Sequence, residues 1–410
     1  MRILIGTLSY KPNVSGVAVS VELLTRYLVE QGHQVFIVAP ARNLKSFVEA
    51  DPATGATIYR VRSIPNPARR GFYLPIFMGG LTERIFREVK PDIIHVHDPM
   101  AMSRYLQQSG RIHGVPTIVS NHFMFDYIGA YLPKWLRPLI LANLRRKFIG
   151  FYNRCQVVIT PSQTVVEYLR NLGVHPPLFA LSNGVDIERF FAYLPVEQTR
   201  QAYHLSSDPL VLYLGRLDTD KSVDVLVKAF AQVRRQLRCH LVLVGSGGKQ
   251  KKLTQLISRL GVDQSVTFTG AVPHYSLDLV ALYQAADIFV MPSSIETQSV
   301  TTLEALAAGK PVIAANSGAL PELINDGVNG LLFQAGDSVD LAEKMVKLLS
   351  DRALQTQLSV AAVETATKHE LQKSLKLFEE LYAATIAAQA TNSREPDLAL
   401  TIGRLSDTQR

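Results

Sequence analysis

The chain is poor in cysteine and contains no long apolar run, and each absence excludes a class of protein. Its two cysteines, Cys155 and Cys239, cannot form a disulfide framework or a cysteine-rich zinc module, and their separate apolar settings predict buried thiols. No apolar run reaches the ~20 residues that a helix needs to cross a bilayer. Residues 1–6 turn polar too early for a signal peptide, so we expect a first strand there and an intracellular protein.

Positive charge is what the chain has in excess, and that charge is unevenly distributed. The 410 residues carry a net charge of +8, and their apolar fraction of 47% is ordinary for two or three globular domains. Residues 1–190 hold 22 Lys and Arg against 12 Asp and Glu, whereas the remaining residues hold 21 against 23. The basic first half predicts a partner with an anionic surface: membrane phospholipid, nucleic acid or a phosphorylated ligand.

A basic segment with aromatic residues lies in this first half, at residues 134–154. It has six cations, no acid and apolar residues at roughly helical spacing. Such a helix can lie in a bilayer interface, or it can pack its apolar stripe on the core while its cations are solvated. A second basic and aromatic stretch, residues 66–73, lies upstream and strengthens the membrane alternative. The candidate membrane contacts are Lys134, Trp135, Arg137, Arg145, Arg146 and Lys147.

Short β-branched runs alternate with helical stretches through nearly the whole chain. This alternation, for example helix Ser20–Gln31 and strand Thr117–Ser120, predicts parallel sheets covered by helices. It pauses at residues 189–208, which lack a strand period, and then restarts. We therefore predict an α/β fold of two Rossmann-like, doubly wound domains that face each other across a cleft. The predicted parts are residues 1–188, residues 189–370, a helix over 371–390 that crosses back to the first domain, and a mobile tail over 391–410.

The segment 286–311 carries the most informative arrangement of charges. A strand is predicted to end near Met291, and a polar loop leads to a helix that begins near Val300. Free amides at the start of this helix can bind anionic oxygens, helped by the helix dipole. Glu296 lies before that anion site and Glu304 behind it, so the two carboxylates could grip hydroxyl groups on either side of a diphosphate. A nucleoside diphosphate sugar has that layout; a capping acid and a solvated glutamate are the alternative.

A second segment, residues 215–221, places two cations at the end of another predicted strand. Arg216 and Lys221 could neutralise a diphosphate leaving group without a metal. Asp218 and Asp220 lie between them, and we interpret these acids as helix-capping residues rather than as metal ligands.

Weaker candidates follow other strands. Gly16, in the loop after the first strand, would let a ligand approach a helix N-terminus closely. His122 could hydrogen-bond a substrate or exchange a proton near neutral pH. His95 and His97 share one face of a strand, but further ligands for a metal are not evident. Residues 245–248 contain three glycines without the full dinucleotide fingerprint, and we interpret them as a phosphate-adjacent or simple turn loop.

Together these segments resemble the retaining glycosyltransferases of family four, which have the two-domain GT-B fold. Glu296 and Glu304 have seven residues between them, as in the E-x7-E motif of that family, and residues 215–221 (GRLDTDK) resemble its G-R-L-x3-K motif. Within the family, residues 296–298 (ETQ) and 121–127 (NHFMFDY) are similar to the diacylglycerol glucosyltransferases. The resemblance covers residues 1–385.

The resemblance implies a role for each candidate residue. Arg216 and Lys221 would hold the donor diphosphate, Glu304 the ribose hydroxyls and Glu296 the sugar hydroxyls, while His122 would orient the reacting sugar. Its implied catalytic residues are His122, Glu296, Arg216 and Lys221. Its implied donor-binding residues are Gly16, Arg216, Lys221, Glu296, Thr297, Gln298, Ser299, Val300 and Glu304.

The resemblance also implies a reaction and a place for it. A hexose, preferably glucose from UDP-glucose, would pass to a membrane lipid such as diacylglycerol, with no tightly bound cofactor and no required metal. The protein would be cytoplasmic and peripheral on the inner face of the cell membrane, with the acceptor on the first domain and the nucleotide sugar on the second. A soluble sugar, sugar-phosphate or polysaccharide acceptor is one alternative, and a non-catalytic nucleotide- or membrane-binding module is another. We find no motif for binding nucleic acid.

Overall fold

The structure is a computed structural model that describes residues 1–12, 15–66, 72–76, 78–125, 135, 137–192 and 194–391. The backbone packing divides the chain into two units. Taken over their described residues, the first comprises Met1–Phe123, Pro133–Ser182 and Ser374–Arg410, and the second comprises Met124–Leu132 and Asn183–Lys373. The predicted tail lies outside the described residues, apart from Thr391.

The first unit is built on parallel strands that are buried on both faces. Its strands are β1 (Arg2–Gly6), β2 (Gln34–Pro40), β3 (Phe47–Ala50), β4 (Thr57–Val61), β5 (Ser63–Pro65), β6 (Tyr73–Pro75), β7 (Ile93–Val96), β8 (Thr117–Ser120), β9 (Val157–Thr160) and β10 (Leu178–Ala180). Eight of them form one sheet in the order β10-β9-β8-β7-β1-β2-β4-β3. Only the edge strand β3 runs antiparallel to its neighbour in that sheet, while β5 and β6 form a separate antiparallel ribbon. The β-branched runs of β7 and β9 are wholly buried, as both-face burial in a parallel sheet requires.

Helices of the first unit follow the strands in alternation. They are α1 (Gly16–Glu30), α2 (Gly79–Val89), α3 (Ala101–His113), α4 (Arg137–Tyr152) and α5 (Gln163–Asn171). Helix α1 begins four residues before the predicted Ser20 because Ser15 caps it, its side chain accepting a hydrogen bond from the amide of Ala18 at 3.2 Å. Its first residue is therefore Gly16.

The second unit contains an all-parallel sheet of six strands. These are β11 (Leu210–Leu214), β12 (His240–Val244), β13 (Val266–Gly270), β14 (Ile288–Met291), β15 (Val312–Ala315) and β16 (Gly330–Phe333), in the order β13-β12-β11-β14-β15-β16. The helices are α6 (Glu188–Phe191), α7 (Val196–Ala202), α8 (Val223–Val233), α9 (Gln250–Leu260), α10 (Leu277–Ala285), α11 (Val300–Ala307), α12 (Leu320–Leu323), α13 (Ser338–Ser350) and α14 (Arg352–Lys368). The stretch without a strand period, residues 189–208, thus holds helix α7 and most of α6. Both sheets confirm the predicted fold of two Rossmann-like α/β domains.

A last helix, α15 (Leu371–Ala390), belongs to the first unit from Ser374 onward. The hydroxyl of Tyr382 lies 2.6 Å from Nδ1 of the buried His95. Glu379 accepts a hydrogen bond from the hydroxyl of Tyr27 at 2.9 Å and lies 2.8 Å from Nε2 of His33. Helix α15 therefore supplies hydrogen-bond partners to polar side chains that lie early in the sequence of the first unit.

The composition led to two expectations, one about the cysteines and one about membrane-spanning helices. Both cysteines are free and buried, as predicted, and burial raises the pKa of the Cys239 thiol to about 11. Among the helices that the structure describes, none is long and apolar enough to cross a membrane.

Candidate active site

Two loops of the second unit bring predicted donor residues together. Strands β11 and β14 are adjacent and parallel, so the loops that follow them emerge at the same edge of the sheet. Lys221, from the first loop, donates from Nζ to Oε1 of Glu296, from the second, at 2.5 Å. The two side chains are only 17% and 10% exposed, so the pair is largely shielded from water. Residues that lie 75 positions apart in the sequence therefore form one ion pair.

Arg216 is held by two aspartates of its own loop. Its Nη1 bonds the carboxylate of Asp218, and its Nη2 donates to Oδ2 of Asp220 at 2.7 Å. The interpretation of Asp218 as a helix cap is wrong, because its side chain makes no capping hydrogen bond to the short 3-10 helix that follows it. Both carboxylates instead orient the guanidinium and compensate its charge.

The glycine-containing segment 245–248 supports the Arg216 loop. A Cβ on Gly247 would lie 2.4 Å from the carbonyl oxygen of Leu217, so only glycine fits against this backbone. Leu217 donates its amide to the carbonyl of Ser246 at 3.0 Å, and the amide of Gly248 donates to Oδ1 of Asp218 at 2.9 Å. This loop-on-loop packing explains the glycines without a dinucleotide.

The backbone of Glu296 rests on a glycine that the sequence analysis did not single out. Gly318 has φ +57°, and a Cβ there would lie 2.7 Å from the carbonyl oxygen of Glu296 and 2.9 Å from its nitrogen. The next residue, Ala319, donates its amide to that same carbonyl at 3.0 Å. A Ser-Gly pair after a strand was the only signal in the sequence, and such pairs mark turns generally.

The start of α11 carries the remaining predicted donor residues. Ser299 caps the helix, because its hydroxyl accepts a hydrogen bond from the amide of Thr302 at 3.2 Å. Gln298 accepts at Oε1 from both the backbone and the side-chain nitrogen of Asn183, at 2.8 and 2.9 Å. Thr297 and Val300 are half-buried in the same segment. A helix therefore begins at the predicted Val300, and hydrogen bonds of Ser299 and Gln298 fix the conformation of the segment before it, whereas anion binding there stays a prediction.

Glu304 lies one turn further along α11 in a buried, poorly hydrated place. Its Oε2 accepts a hydrogen bond from the hydroxyl of Tyr283 at 2.8 Å, and Nε2 of His274 lies 3.2 Å from its Oε1. Burial raises the pKa of Glu304 to about 7, and burial lowers the pKa of His274 to about 4. Arg189 donates to the backbone carbonyl of His274 and so holds the loop that carries the imidazole. The sequence analysis missed all three neighbours, since each comes from a different element.

His122 and Gly16, the two residues of the first unit that were predicted to take part in catalysis or donor binding, lie in contrasting surroundings. Nε2 of His122 lies 3.0 Å from Nδ1 of His97, and the two rings are stacked. Burial lowers the pKa of His122 to about 4, so the imidazole is neutral at physiological pH and can donate or accept a hydrogen bond. Gly16 is exposed, and a Cβ added there would meet nothing within 4 Å.

The neighbouring His95 and Asp98 are used structurally. Nε2 of His95 lies 2.8 Å from the hydroxyl of Ser120. Asp98 accepts hydrogen bonds from the amides of Leu8 and Met100, at 3.1 and 2.9 Å. Within the described residues, no group of three or more side chains could hold a metal ion.

The predicted membrane contacts lie around α4, except Lys134, which is outside the described residues. Trp135 is 77% exposed and Leu139 is 74% exposed. Arg146 and Lys147 are exposed, whereas Arg137 and Arg145 are half-buried. The helix is anchored to the core by buried residues, chiefly in its second half: Leu141, Phe148, Phe151 and Tyr152. The packing alternative therefore holds for the second half of the helix. The first end presents apolar side chains to solvent, and its contact with a membrane stays a prediction.

Comparison with known proteins identifies the family. The profile described as Glycosyltransferase Family 4 matches residues 14–189, and the profile described as Glycosyl transferases group 1 matches residues 196–365. The chain is a family-four glycosyltransferase. The enzyme is 29% identical over 366 residues to a GDP-mannose-dependent alpha-mannosyltransferase of Corynebacterium glutamicum, which covers 89% of this chain and 84% of the relative.

Two further relatives of this glycosyltransferase bear on its fold and chemistry. An alpha-monoglucosyldiacylglycerol synthase of Acholeplasma laidlawii is 25% identical over 395 residues, covering 93% of this chain and 96% of the relative. The crystal structure of HepE from Anabaena, in complex with UDP, superposes with a TM-score of 0.75 at 21% identity, covering 94% of this chain and all of that one. The enzyme is a nucleotide-sugar-dependent hexosyltransferase, and the alternative of a non-catalytic binding module is wrong.

Proposed function

We propose that this glycosyltransferase moves glucose from UDP-glucose to diacylglycerol, or to a closely related lipid, as a peripheral protein at the cytoplasmic face of a membrane. The observation that carries this proposal is the exposed apolar surface at the start of the basic helix α4, where Leu139 lies in the first turn and Trp135 lies two residues before the helix. Tryptophan and leucine beside lysine and arginine suit the interface of an anionic bilayer. The diacylglycerol named for the Acholeplasma laidlawii relative supports the same acceptor.

Arg216 and Lys221 supply the charge that a departing nucleoside diphosphate needs. Each already has carboxylate partners that fix its position, and each keeps some exposure to solvent. Diphosphate oxygens would become additional acceptors for these cations as negative charge develops on the leaving group. Electrostatic stabilisation by one such group is worth about 2–4 kcal/mol of barrier.

The amides at the start of α11, from Thr297 to Val300, would add neutral donors to the same diphosphate. Behind them, Glu304 would accept hydrogen bonds from the ribose hydroxyls. A Cβ added at Gly16 would meet nothing, so this residue would leave room for the donor phosphates or for the acceptor.

Transfer would proceed with retention of configuration on one face of the sugar. The acceptor oxygen forms a bond to the anomeric carbon while the bond from that carbon to the diphosphate oxygen breaks, and the acceptor proton passes to the diphosphate. Glu296 is bound to Lys221, so we assign it to hydroxyls of the sugar and propose no covalent intermediate. The neutral His122 would orient the reacting sugar through a hydrogen bond.

A transfer assay tests the donor and the acceptor together. Purified enzyme would be mixed with radiolabelled UDP-glucose and anionic liposomes that contain diacylglycerol, and the organic phase would be counted. Label in that phase, lost when diacylglycerol is omitted, is the expected result. GDP-mannose in place of UDP-glucose tests the donor named for the Corynebacterium glutamicum relative. Release of UDP without label in lipid would move the acceptor to a soluble sugar, sugar phosphate or polysaccharide.

Liposome flotation tests the membrane contact separately. The double substitution Trp135→Ser and Leu139→Ser should reduce the fraction that floats with anionic liposomes, because both apolar side chains would leave the bilayer interface. Val360→Ser is the matched control, since Val360 is 60% exposed on α14. Equal flotation of the double variant and the control would contradict the proposed contact.

A further inference from the structure

A groove on the first unit is lined by cations from three parts of the chain. It has a volume of about 520 Å³ and lies between α3 and α4. Its charged lining comprises Arg104 and Arg111 from α3, Arg146 and Lys147 from α4, and Arg154 just beyond α4. No residue in the described lining carries a carboxylate. Five positive charges therefore surround one concave space without an acid among them.

The groove is built on fixed elements. Gln107 of α3 donates from Nε2 to the carbonyl of Phe151 at 3.0 Å and contacts the sulfur of Cys155 at 2.9 Å, which ties the two helices together. Arg104 donates from Nε to the carbonyl of Pro99 at 3.0 Å, and its guanidinium lies over the ring of Phe148 at 5.6 Å. These contacts hold at least one guanidinium in place before any ligand arrives.

The cations of the groove are poorly compensated within the protein. Burial and the nearby Arg154 lower the pKa of Arg104. Within the described part of the chain, Arg111 and Arg154 are exposed and form no hydrogen bond or ion pair with another side chain. Like charges held close together cost free energy, and an anion placed among them would offset that cost.

We propose that this groove is a binding site for a phosphate group, either on the headgroup of an anionic phospholipid or on a small phosphorylated molecule. Arginine guanidinium groups match phosphate oxygens in charge and geometry, and several of them converge here. The site is separate from the donor residues, all but two of which lie in the second unit. It does not depend on diacylglycerol being the acceptor.

The pair Arg111→Gln and Arg154→Gln tests the site without touching a residue assigned to donor binding or to the helix-end membrane contact. Lys251→Gln with Lys252→Gln is the matched control, because both lysines are exposed on α9 and the net charge falls equally. Unchanged thermal melting and unchanged UDP binding would establish that both variants are folded.

Two arms distinguish the sources of the phosphate. In the first, calorimetry measures binding of inorganic pyrophosphate to enzyme whose donor site is saturated with UDP; in the second, flotation compares phosphatidylglycerol vesicles with phosphatidylcholine vesicles. Loss of the two arginines should weaken binding about tenfold to thirtyfold in at least one arm, and the lysine control should leave it unchanged. Loss in the pyrophosphate arm assigns a small phosphorylated ligand, and loss with phosphatidylglycerol vesicles alone assigns a lipid headgroup.

Two outcomes would overturn the proposal: equal behaviour of the arginine and lysine variants in both arms, or no binding by the unchanged enzyme in either arm. Both measurements are independent of glucosyl transfer. The groove site can therefore fail while the proposed reaction stands, and the reverse also holds.

Discussion

Positive charge is arranged in opposite ways in the candidate donor site of the second unit and in the groove of the first unit. In the second unit, Lys221 lies against Glu296, and Arg216 lies between two aspartates. In the first unit, five cations line one groove whose described lining has no carboxylate. A cation paired with an acid is precisely positioned but projects little field, whereas clustered cations project an attractive field over several ångströms. The first arrangement suits catalysis on a bound diphosphate, and the second suits capture of an anion.

The largest effect on activity should come from removing the cation of the ion pair between Lys221 and Glu296. Lys221→Ala removes a cation from the candidate diphosphate site, so we expect kcat to fall about 10²–10³-fold, measured by steady-state transfer from UDP-glucose. Lys228→Ala is the control, since Lys228 is an exposed residue of α8 that pairs with Asp224 on its own helix. Circular dichroism would show that both variants are folded, and turnover of Lys221→Ala near that of the control would refute the role.

A smaller effect should follow from disturbing the support under Glu296 while its charge stays. Gly318→Ala places a Cβ 2.7 Å from the carbonyl oxygen of Glu296 at a positive φ. Gly327→Ala also has a positive φ, but nothing lies within 4 Å of its added Cβ, so it costs only the backbone strain of about 1 kcal/mol. We expect Gly318→Ala to lose about 1–3 kcal/mol more in denaturant unfolding and to turn over more slowly. Equal unfolding midpoints for the two variants would mean that the backbone of Glu296 moves aside freely.

The smallest effect concerns Glu304, the acid of this region that binds a tyrosine rather than a lysine or arginine. Its pKa of about 7 means that it is largely protonated below that pH, whereas ribose hydroxyls donate best to the ionised form. Donor binding should therefore tighten several-fold as the pH rises from about 6 to about 8, measured by calorimetry with UDP. Glu304→Gln should bind more weakly and lose this part of the pH dependence. A wild-type profile that matched the variant's would exclude Glu304 as the titrating group.

The same raised pKa has a consequence for folding. A buried carboxyl that prefers its neutral form destabilises the native state once it ionises. The contribution of Glu304 to the free energy of unfolding should therefore fall as the pH rises from about 4.5, the ordinary pKa of a glutamate, to about 7, its pKa in the folded protein.

Much of the fold could be predicted because its strands and helices have strong local signals. Strand Thr117–Ser120 has the predicted bounds and strand Ile288–Met291 ends at the predicted Met291, since each is a short β-branched or apolar run buried in a parallel sheet. Strand β4, Thr57–Val61, was missed, because the charged Arg60 interrupts its apolar run. The start of α1 was misplaced because a capping serine, rather than apolar spacing, determines it.

The candidate site could be predicted only as far as its motifs extend along the chain. The pairing of Lys221 with Glu296 depends on β11 and β14 being neighbours, and sequence spacing does not encode that order. The true partners of Asp218 and Asp220 were missed for a related reason, because capping is a local rule and the contact with Arg216 is made by side-chain geometry. The groove was missed because two of its five cations lie on α3, whose residues carry no motif.

The last helix, α15, belongs to the first unit, and this affects the order in which the two units can fold during translation. Translation delivers the chain from its N-terminus, yet the first unit lacks Glu379 and Tyr382 until the whole of the second unit has been synthesised. The second unit, by contrast, has all its residues once Lys373 has left the ribosome. The first unit is therefore completed after the second, although most of its residues are synthesised earlier. Its buried His95 gains its hydrogen-bond partner only when Tyr382 has been synthesised.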